Sequence, residues 1–581
     1  MFRLLLLASV AAYAQKNLAY DQPAPTIPAR LTEHSRKMEQ RVYKITDNVY
    51  SAVGFGLANS TMVVGKDGVI IIDTLESLTS AQAVAAAFRA ITDKPVKAVV
   101  YTHNHTDHIL GVKAFVREED VHSGAVTVFA HSTMMQTVIS NASIIGPILS
   151  VRSAYSLGLL LPAGPQGFVN DGLGPKMVLG ESSFIAPTKT FDDSLDVEIA
   201  GVKMHLAYAP SETDDEIVAW FPEWHVLQSA EVIQGETFPN VHTLRGTKYR
   251  DPVKWFKSID KLRAFHADYL VPSHGRPMTG APQIEEMLTA YRDAIQYVHD
   301  QTIRNMNRGL TPDELVEVVA KLPPHLAQNP WLGEFYGTVK HSVREIYQGY
   351  LGWFEGDPTL LDPLPPIERA ERYVRMMGGR EAVLTEARAA FAKDDFRWSA
   401  ELLTYLIRVD KNDKDARALK AQALRQLGFR TENTNWRNWY LTSAKELEGT
   451  VPNLSGSRLA TPDILREMPL CNYVEGMTVR LDPVKSADAH VVVAFRVSDK
   501  AQSCGLEVRR GIAQLHDPAP ANAASMVLTS AQLYRAMSGE TTLAELTKSL
   551  GVVSDSDRET VTRFFSYFDP PSRDPIALTV R

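Results

Sequence analysis

The stretch "VKAVVYTHNHTDHIL", residues 96–110, decides the fold and points to the chemistry. Its apolar first part, Val96 to Val100, is typical of a buried strand. The strand runs into a turn that carries His103, His105, Asp107 and His108. Imidazole and carboxylate groups are ordinary zinc ligands, and the H-x-H-x-D-H spacing sends the first two side chains one way and the last two to a second nearby point. The turn therefore predicts a site for two metal ions, provided that other parts of the chain supply more ligands; without them it is an ordinary polar loop.

Candidates for the missing ligands follow three other predicted strands. "VKMHLAYA" leads into "PSETDDE" and Glu212, "HVLQSA" leads into Glu231, and "DYLVPS" leads into His274. Together with the first turn they make four histidines, one aspartate and two glutamates. That set is sufficient for two metal ions with a bridging carboxylate and a bridging hydroxide. The following run Asp214 to Glu216 is expected to be solvated, with Glu216 able to steady the Glu212 loop.

The sequence divides into three regions with different hydrophobic patterns. Short apolar runs bounded by Gly, Pro, Asp or Asn extend from Val42 to about Val271, with helical stretches between them, which predicts a layered α/β domain. Near Pro282 the pattern changes to long amphipathic helices, including helix hairpins of the tetratricopeptide kind from Ala382 to Gly428. From about Leu454 short strands and then helices predict a small α+β unit.

Length and charge restrict the possible functions. A chain of 581 residues is too long for one core and predicts three or four units. The net charge of -7 is small for this length and no basic block occurs, so nucleic acid is not expected as a partner. Cys471 and Cys504 lie far from the histidine turn, and spacing leaves open whether they pair.

The N-terminus "MFRLLLLASVAAYAQKN" has the composition of a signal peptide. Arg3 gives a positive start, Leu4 to Ala12 an apolar stretch, and Ala12 to Ala14 a small-x-small cleavage pattern. We therefore predict removal of residues 1–14 and export to a periplasm or out of the cell; the alternative is a frayed first helix of a cytosolic protein. No other stretch has the roughly 18 apolar residues of a membrane span, so no stable span is expected.

The chain resembles the metallo-β-lactamase superfamily through "HNHTDH" and "PSHG". Glu212 in "PSET" and Glu231 replace a histidine and an aspartate that are usual there, and both changes are similar to the alkylsulfatase branch that includes dodecyl sulfate hydrolases. Longer segments, such as "SAEVIQGETFPNVHTLRGTKYRD" and "NPWLGEFYGTVKHSVREIYQGYLGWFEGDP", also resemble that branch. In "DHILG", Leu110 takes the place of a glycine that is common in relatives.

The resemblance implies an architecture and a partner. We expect an α/β metallo-β-lactamase-like αββα sandwich over residues 15–290, an all-α dimerisation domain over 291–450 and an α+β domain similar to sterol carrier proteins over 451–581. A homodimer is the expected assembly.

The resemblance also implies two zinc ions per chain and a ligand set. His103, His105 and Glu212 would hold one zinc ion, Asp107, His108 and His274 the other, and Glu231 would bridge them, with exchanged roles for the two glutamates left open. The implied reaction is hydrolysis of an amphiphilic alkyl sulfate ester, such as dodecyl sulfate, to alcohol and sulfate by a metal-bound hydroxide. Whether the C–O or the S–O bond breaks stays open.

The resemblance also implies roles for residues outside the ligand set. Glu231, Arg245 and Asn240 are the catalytic candidates, and Arg245, Arg250, Tyr155 and Asn170 are the substrate-binding candidates. Leu157 to Leu161 would contact an aliphatic tail or belong to the core. The rival functions are another dinuclear zinc hydrolase, such as a lactonase, thioesterase or phosphoester hydrolase, and a metal-free lipid-binding protein.

Overall fold

The computed structural model describes residues 27–452, 461–570 and 574–581, so the predicted signal peptide lies outside the described residues. Two sheets form the first domain. The first sheet has the strand order β1-β2-β3-β4-β5-β6-β7 and the second β13-β12-β11-β10-β9-β8. The strands are Arg41–Lys44, Val49–Val53, Ser60–Val64, Val69–Ile72, Val96–Val100, Thr127–His131 and Lys189–Phe191 (β1 to β7), then Ser194–Ile199, Val202–Tyr208, Ile217–Phe221, Val226–Ala230, Tyr269–Pro272 and Met278–Thr279 (β8 to β13).

Helices cover the outer faces of both sheets. Strands β4 to β7 run parallel, as do β11 and β12, so the ends of β4, β5, β11 and β12 place the following loops at one rim. The helices of this part are Ala29–Arg36, Leu78–Arg89, Thr106–Ile109, Glu118–His122, Met134–Ser143, Gly146–Ser156 and Pro252–Arg263 (α1 to α7), with a 3-10 turn at Val112–Ala114. The arrangement confirms the predicted αββα sandwich.

Strand β4 shows why the sequence selects this layering. Ile70 and Ile72 pack between the two sheets, whereas Val69 and Ile71 pack on the other face against helix α2 (Leu78–Arg89). Side chains alternate along a strand, so a strand with apolar residues at every position must be covered on both faces. The continuous run "VIII" therefore predicts a central strand of a sandwich.

The helical segment begins at Ala281, close to the change of pattern predicted near Pro282, and so before the predicted domain boundary at residue 290. Helix α8 (Ala281–Met306) runs through position 290, and its Met287, Tyr291 and Ile295 pack into one core with Trp255 of the first domain. The remaining helices are Pro312–Val319, Pro324–Ala327, Val339–Leu351, Pro366–Met376, Arg380–Ala392, Phe396–Val409, Lys414–Arg430 and Thr434–Leu447 (α9 to α16), with a 3-10 turn at Pro358–Leu360.

Helix α16 (Thr434–Leu447) joins the helical segment to the first domain by buried polar groups. The Arg437 guanidinium is buried and donates to the carbonyl oxygens of Gly167, Gly428 and Pro165. Asn438 Nδ2 donates to Ser156 O at 3.0 Å. A buried guanidinium is costly unless each N–H is bonded, so these contacts fix one docking geometry.

The last unit is an α+β domain, as predicted. Its sheet has the order β16-β15-β14-β17, built from Gln502–Arg509 (β15) and Ile512–His516 (β16), with His490–Val497 (β14) and Ala524–Leu528 (β17). Its helices are Pro462–Glu467, Leu470–Glu475, Ser530–Met537, Leu543–Leu546 and Arg558–Ser566 (α17 to α21), with a 3-10 turn at Thr478–Arg480. Cys471 and Cys504 are free thiols here. Among the described helices, none is by itself long and apolar enough to cross a bilayer; only the pair α5 and α6, bent by 95°, has that combined length and composition.

His34 of helix α1 offers a test of how this helix is held. Its ring stacks on Phe335 with centroids 4.0 Å apart, and Nε2 donates to Gly172 O at 2.6 Å. Burial lowers the pKa of His34 to about 4. The unfolded chain therefore binds a proton near pH 6.5 that the folded chain takes up only near pH 4, so stability falls as pH drops through this window, by up to about 3 kcal/mol.

We expect His34→Phe, which keeps a stacking ring but cannot be protonated, to have a melting temperature that depends less on pH between 6.5 and 4.5 than that of the wild type. Differential scanning calorimetry at several pH values measures this. A constant difference between variant and wild type over that range would contradict the assignment.

Candidate metal centre and active site

All seven predicted metal ligands meet at one rim of the sandwich. The turn after β5 and helix α3 (Thr106–Ile109) supplies four of them, and the ends of β9, β11 and β12 supply one each. All are buried except His105, which is partly exposed. Ala230, which precedes Glu231, has φ +51°, a strained backbone that aims the glutamate at the rim.

The ligands form two groups that face each other. His103, His105, Glu212 and Glu231 form the first group, and Asp107, His108 and His274 form the second; within each group the candidate ligand atoms lie within 4.8 Å of one another. Glu231 Oε2 lies 3.3 Å from His103 Nε2 and 3.5 Å from both His108 Nε2 and His274 Nε2. Glu231 therefore stands between the groups.

The hydrogen bonds of the histidines fix which ring nitrogens face the centre. His108 Nδ1 donates to Asp73 Oδ2 at 2.8 Å, and His274 Nδ1 donates to Leu57 O at 3.0 Å. Their Nε2 atoms then carry lone pairs, and both are buried without a hydrogen-bond partner among the described residues. Buried acceptors without donors that converge with carboxylates fit a cation, so these side chains fit a divalent metal site.

Asp73, at the end of β4, holds this arrangement and was missed in the sequence. Its carboxylate accepts from Thr102 N at 2.9 Å, Thr102 Oγ1 at 3.0 Å and Ser273 Oγ at 2.7 Å, besides His108. Asp73 itself has φ +61°. The signal was present in the sequence as the charged residue that ends the apolar strand "VIII".

Two further buried side chains orient the glutamate ligands. Glu216 accepts from Glu231 N at 2.6 Å and from the Ser211 hydroxyl. Gln234 Nε2 donates to Glu212 Oε2 at 2.5 Å and to Glu231 Oε1 at 3.2 Å. Burial, with the charges of Glu212 and Glu231, raises the pKa of Glu216 well above its ordinary value.

The expectation that residues 214–216 are solvated is correct only for Asp214, whose side chain is 59% exposed. Asp215 and Glu216 are buried, and Asp215 accepts from Asn104 Nδ2 at 2.6 Å. Both side chains turn inward: Asp215 bonds the turn that holds His103 and His105, and Glu216 bonds the backbone of Glu231 and the residue before Glu212.

Two arginines adjoin the first ligand group. Arg245 Nη2 lies 3.0 Å from His105 Nε2. Arg250 Nη1 lies 3.2 Å from Glu212 Oε2 and donates to Asn240 O at 2.6 Å. The Arg250 Nε and Nη2 atoms are buried without a partner among the described residues. The structure therefore brings both arginines to the centre.

A cavity of about 660 Å³ opens over the centre. Its charged lining residues include Asp107, Glu212, Glu231, Arg245 and Arg250. Its apolar lining residues include Ile145, Leu149, Leu157, Leu159, Leu173, Met177, Val178 and Leu179. Tyr336 of the helical segment also lines the cavity, which sequence reasoning missed. Of the predicted leucine stretch, Leu157 and Leu159 face the cavity, whereas Leu161 packs with Phe429.

Three predicted site residues lie elsewhere. The Tyr155 hydroxyl donates to Glu446 Oε2 at 2.5 Å, and Asn170 Nδ2 donates to Ser35 Oγ at 2.7 Å. The Asn240 side chain is buried beside His341, with Oδ1 3.1 Å from His341 Nε2. None of the three is among the residues that line this cavity. The substrate-binding roles of Tyr155 and Asn170 and the catalytic role of Asn240 stay predictions; the contacts described here tie the three side chains to the structure around the site.

An αββα sandwich with two groups of potential metal ligands at one rim defines a protein of the metallo-β-lactamase class. The model of the metallo-β-lactamase superfamily matches residues 53–274. The models for alkyl sulfatase dimerisation and the alkyl sulfatase C-terminal domain match residues 311–450 and 458–574. The chain belongs to the alkylsulfatase family.

Relatives extend over nearly the whole chain. A linear primary-alkylsulfatase of Pseudomonas sp. is 51% identical over 530 residues, which cover 90% of this chain and 100% of the relative. An alkyl/aryl-sulfatase of Saccharomyces cerevisiae is 34% identical, over 94% of this chain and 86% of its own length. The solved structure of a stereoselective inverting sec-alkylsulfatase from Pseudomonas sp. superposes with a TM-score of 0.88 at 30% identity, covering 95% of this chain and 89% of that chain.

The role of Asp73 can be tested by Asp73→Asn. The carboxylate accepts hydrogen bonds from hydroxyl, imidazole and peptide groups, and the amide nitrogen of asparagine cannot accept them. His108 should therefore lose its fixed orientation. Loss of such a partner typically lowers metal affinity by about 10- to 100-fold.

Competition with a chromophoric chelator measures the affinity. Ser273→Ala removes a single donor to Asp73 and should have a smaller effect. Equal metal affinity of Asp73→Asn and the wild type would show that this carboxylate does not orient a ligand.

Proposed function

We propose that the protein hydrolyses alkyl sulfate esters, such as dodecyl sulfate, to an alcohol and inorganic sulfate in a zinc-dependent reaction. The observation that carries this proposal is the cavity itself, whose lining combines members of both groups of metal ligands and two arginines with a set of apolar side chains. Membership of the alkylsulfatase family supports it.

Two zinc ions per chain are proposed. His103, His105 and Glu212 would hold one, Asp107, His108 and His274 the other, with Glu231 shared. When bound, such a pair supplies Lewis acidity and lowers the pKa of a water molecule towards neutrality. The carboxylates of Glu212 and Glu231 offset part of the added positive charge, and Glu216, Gln234 and Asp73 hold the ligands in place.

Arg245 is proposed to bind the sulfate group. With a ligated Nδ1, the neutral ring of His105 carries its proton on Nε2 and no longer offers an acceptor to Arg245, whose guanidinium is then available to an anion in the cavity. Arg250 is held by Glu212 and Asn240 O, and its remaining N–H groups add positive charge to the cavity lining.

The apolar lining residues are proposed to contact the alkyl tail. Leu157, Leu159, Leu173 and residues 177–179 all line the cavity. Each methylene that leaves water contributes about 0.8 kcal/mol, so these residues favour amphiphilic sulfates over short ones.

The test is release of inorganic sulfate from dodecyl sulfate by the purified chain in 18O-labelled water. We expect activity in the wild type, its loss after chelation and its return with Zn²⁺. Glu231→Gln and Arg245→Ala should each lower kcat/KM by at least about 100-fold, since they remove a shared ligand and the main anion donor. Glu223→Gln, at an exposed glutamate, is the matched control.

Label in the sulfate would indicate S–O cleavage, and label in the alcohol C–O cleavage. Absence of sulfate release from primary and secondary alkyl sulfates, with two zinc ions bound, would reject this function in favour of another ester hydrolase.

A homodimer is proposed from the dimerisation-family match and an exposed apolar surface on residues 350–376. Trp353, Leu361, Ile367 and Met376 are 67%, 60%, 57% and 81% exposed in the single chain. Apolar side chains concentrated in one segment are typical of an interface.

Export remains a prediction from residues 1–14, and N-terminal sequencing of the secreted chain would test it.

Trp353→Glu together with Met376→Glu should shift the chain from dimer to monomer, because charges would have to be buried at the interface. Size-exclusion chromatography with light scattering measures the mass. Leu550→Glu, at a side chain fully exposed in the C-terminal domain, is the control and should leave the mass unchanged. An unchanged dimer in the double variant would place the interface elsewhere.

A further inference from the structure

Arg152 holds the backbone of the loop that carries Arg245. Arg152 Nε donates to Arg245 O at 2.7 Å, and Nη2 donates to Leu244 O at 2.6 Å. The planar guanidinium therefore fixes two successive carbonyl groups. The chain turns sharply immediately afterwards, at Gly246, with φ +97°. The direction of the Arg245 side chain thus depends on Arg152.

Arg152 lies on helix α6 (Gly146–Ser156), which is fastened to helix α16 (Thr434–Leu447). The Arg152 guanidinium lies over the Trp439 ring, 5.4 Å from its centroid, and the Tyr155 ring is 5.2 Å from the same ring. Ser156 Oγ donates to Asn435 Oδ1 at 2.6 Å, and the Tyr155 hydroxyl donates to Glu446 Oε2 at 2.5 Å.

Glu446 also receives the C-terminal residues of the chain. Glu446 is 9% exposed, and its carboxylate accepts from three successive peptide N–H groups, those of Leu578, Thr579 and Val580, at 2.8 to 3.2 Å. A buried carboxylate needs such donors, and removing them leaves a charge to be solvated. The end of the chain therefore stabilises the acceptor that Tyr155 uses.

We propose that residues 577–581 and Glu446 form a strap that positions Arg245 through helix α6 and Arg152. The inference rests on the proposed role of Arg245 in binding the sulfate group. Arg152, Tyr155 and Glu446 are positioning residues; none of them lines the cavity. The strap thus makes anion binding in the cavity depend on a segment from the far end of the sequence.

The first test does not depend on activity. Hydrogen exchange of the metal-loaded, full-length protein is followed in peptides that cover residues 243–250. Deletion of residues 577–581, and separately Tyr155→Phe, should speed exchange in this loop.

Deletion of Arg581 alone keeps the three N–H donors to Glu446 but removes a charge that acts on Arg152, so it should change the loop less than the longer deletion does. Leu550→Glu, at an exposed side chain, is the control that should leave the loop unchanged. Unchanged exchange in the longer deletion would overturn the proposal.

The second test is kinetic and uses dodecyl sulfate below its micelle concentration. The longer deletion, Tyr155→Phe and Arg152→Met should raise KM and the inhibition constant of inorganic sulfate by about 10-fold with a smaller effect on kcat, since a 1 Å misplacement of a binding group costs up to about 100-fold. In the Arg245→Ala background the same changes should add nothing, because they act through that residue.

Effects that multiply in the Arg245→Ala background, or a fall in kcat without a change in KM, would show a general structural role and reject the strap. Metal content and thermal unfolding of each variant identify loss of the fold, and Tyr155→Phe is the mild variant that keeps the helix packing. Failure of the wild type to release sulfate would reject the proposed function, whereas the exchange experiment would still decide on the strap.

Discussion

The buried carboxylate of Asp73 is the contact on which the rest of the site depends. It ends β4 of the first sheet, bonds Thr102 after β5 and reaches Ser273 after β12 of the second sheet. One side chain therefore joins the carboxyl ends of strands from both layers and, through His108, sets the direction of a metal ligand. The three carboxylates and four imidazoles of the candidate metal ligands can be buried together only if their orientations are fixed in this way and a cation balances the charge of the carboxylates.

The helical segment and the first domain together form the cavity and the core beneath it. Tyr336 lines the cavity, and helix α8 (Ala281–Met306) shares the core that supports the second sheet. Arg437 of helix α16 donates to three backbone carbonyls, two of which belong to the first domain. The cavity walls thus come from parts of the chain that are distant in sequence.

The layers and the meeting of the seven candidate ligands could be predicted from the sequence because both depend on local patterns. A wholly apolar strand such as "VIII" must be covered on both faces, and chelating residues that follow strand ends meet at one rim. The roles of Tyr155, Asn170 and Asn240 could not be derived in this way, because proximity in sequence to a cavity-lining stretch does not determine which way a side chain points. Acidic residues such as Asp215 and Glu216 are expected at the surface from the sequence. Their hydrogen bonds to residues distant in sequence explain why they are buried.

Helix α8 (Ala281–Met306) has a consequence for how this chain can be divided. A cut at residue 290 would expose Tyr291, Ile295 and Val298 on one fragment and remove the cover of Trp255 and Ile259 on the other. Neither fragment would be expected to remain soluble, so truncated variants and chimaeras should keep the first domain and the helical segment together. The exchangeable module in this architecture is therefore larger than the domain that carries the metal ligands.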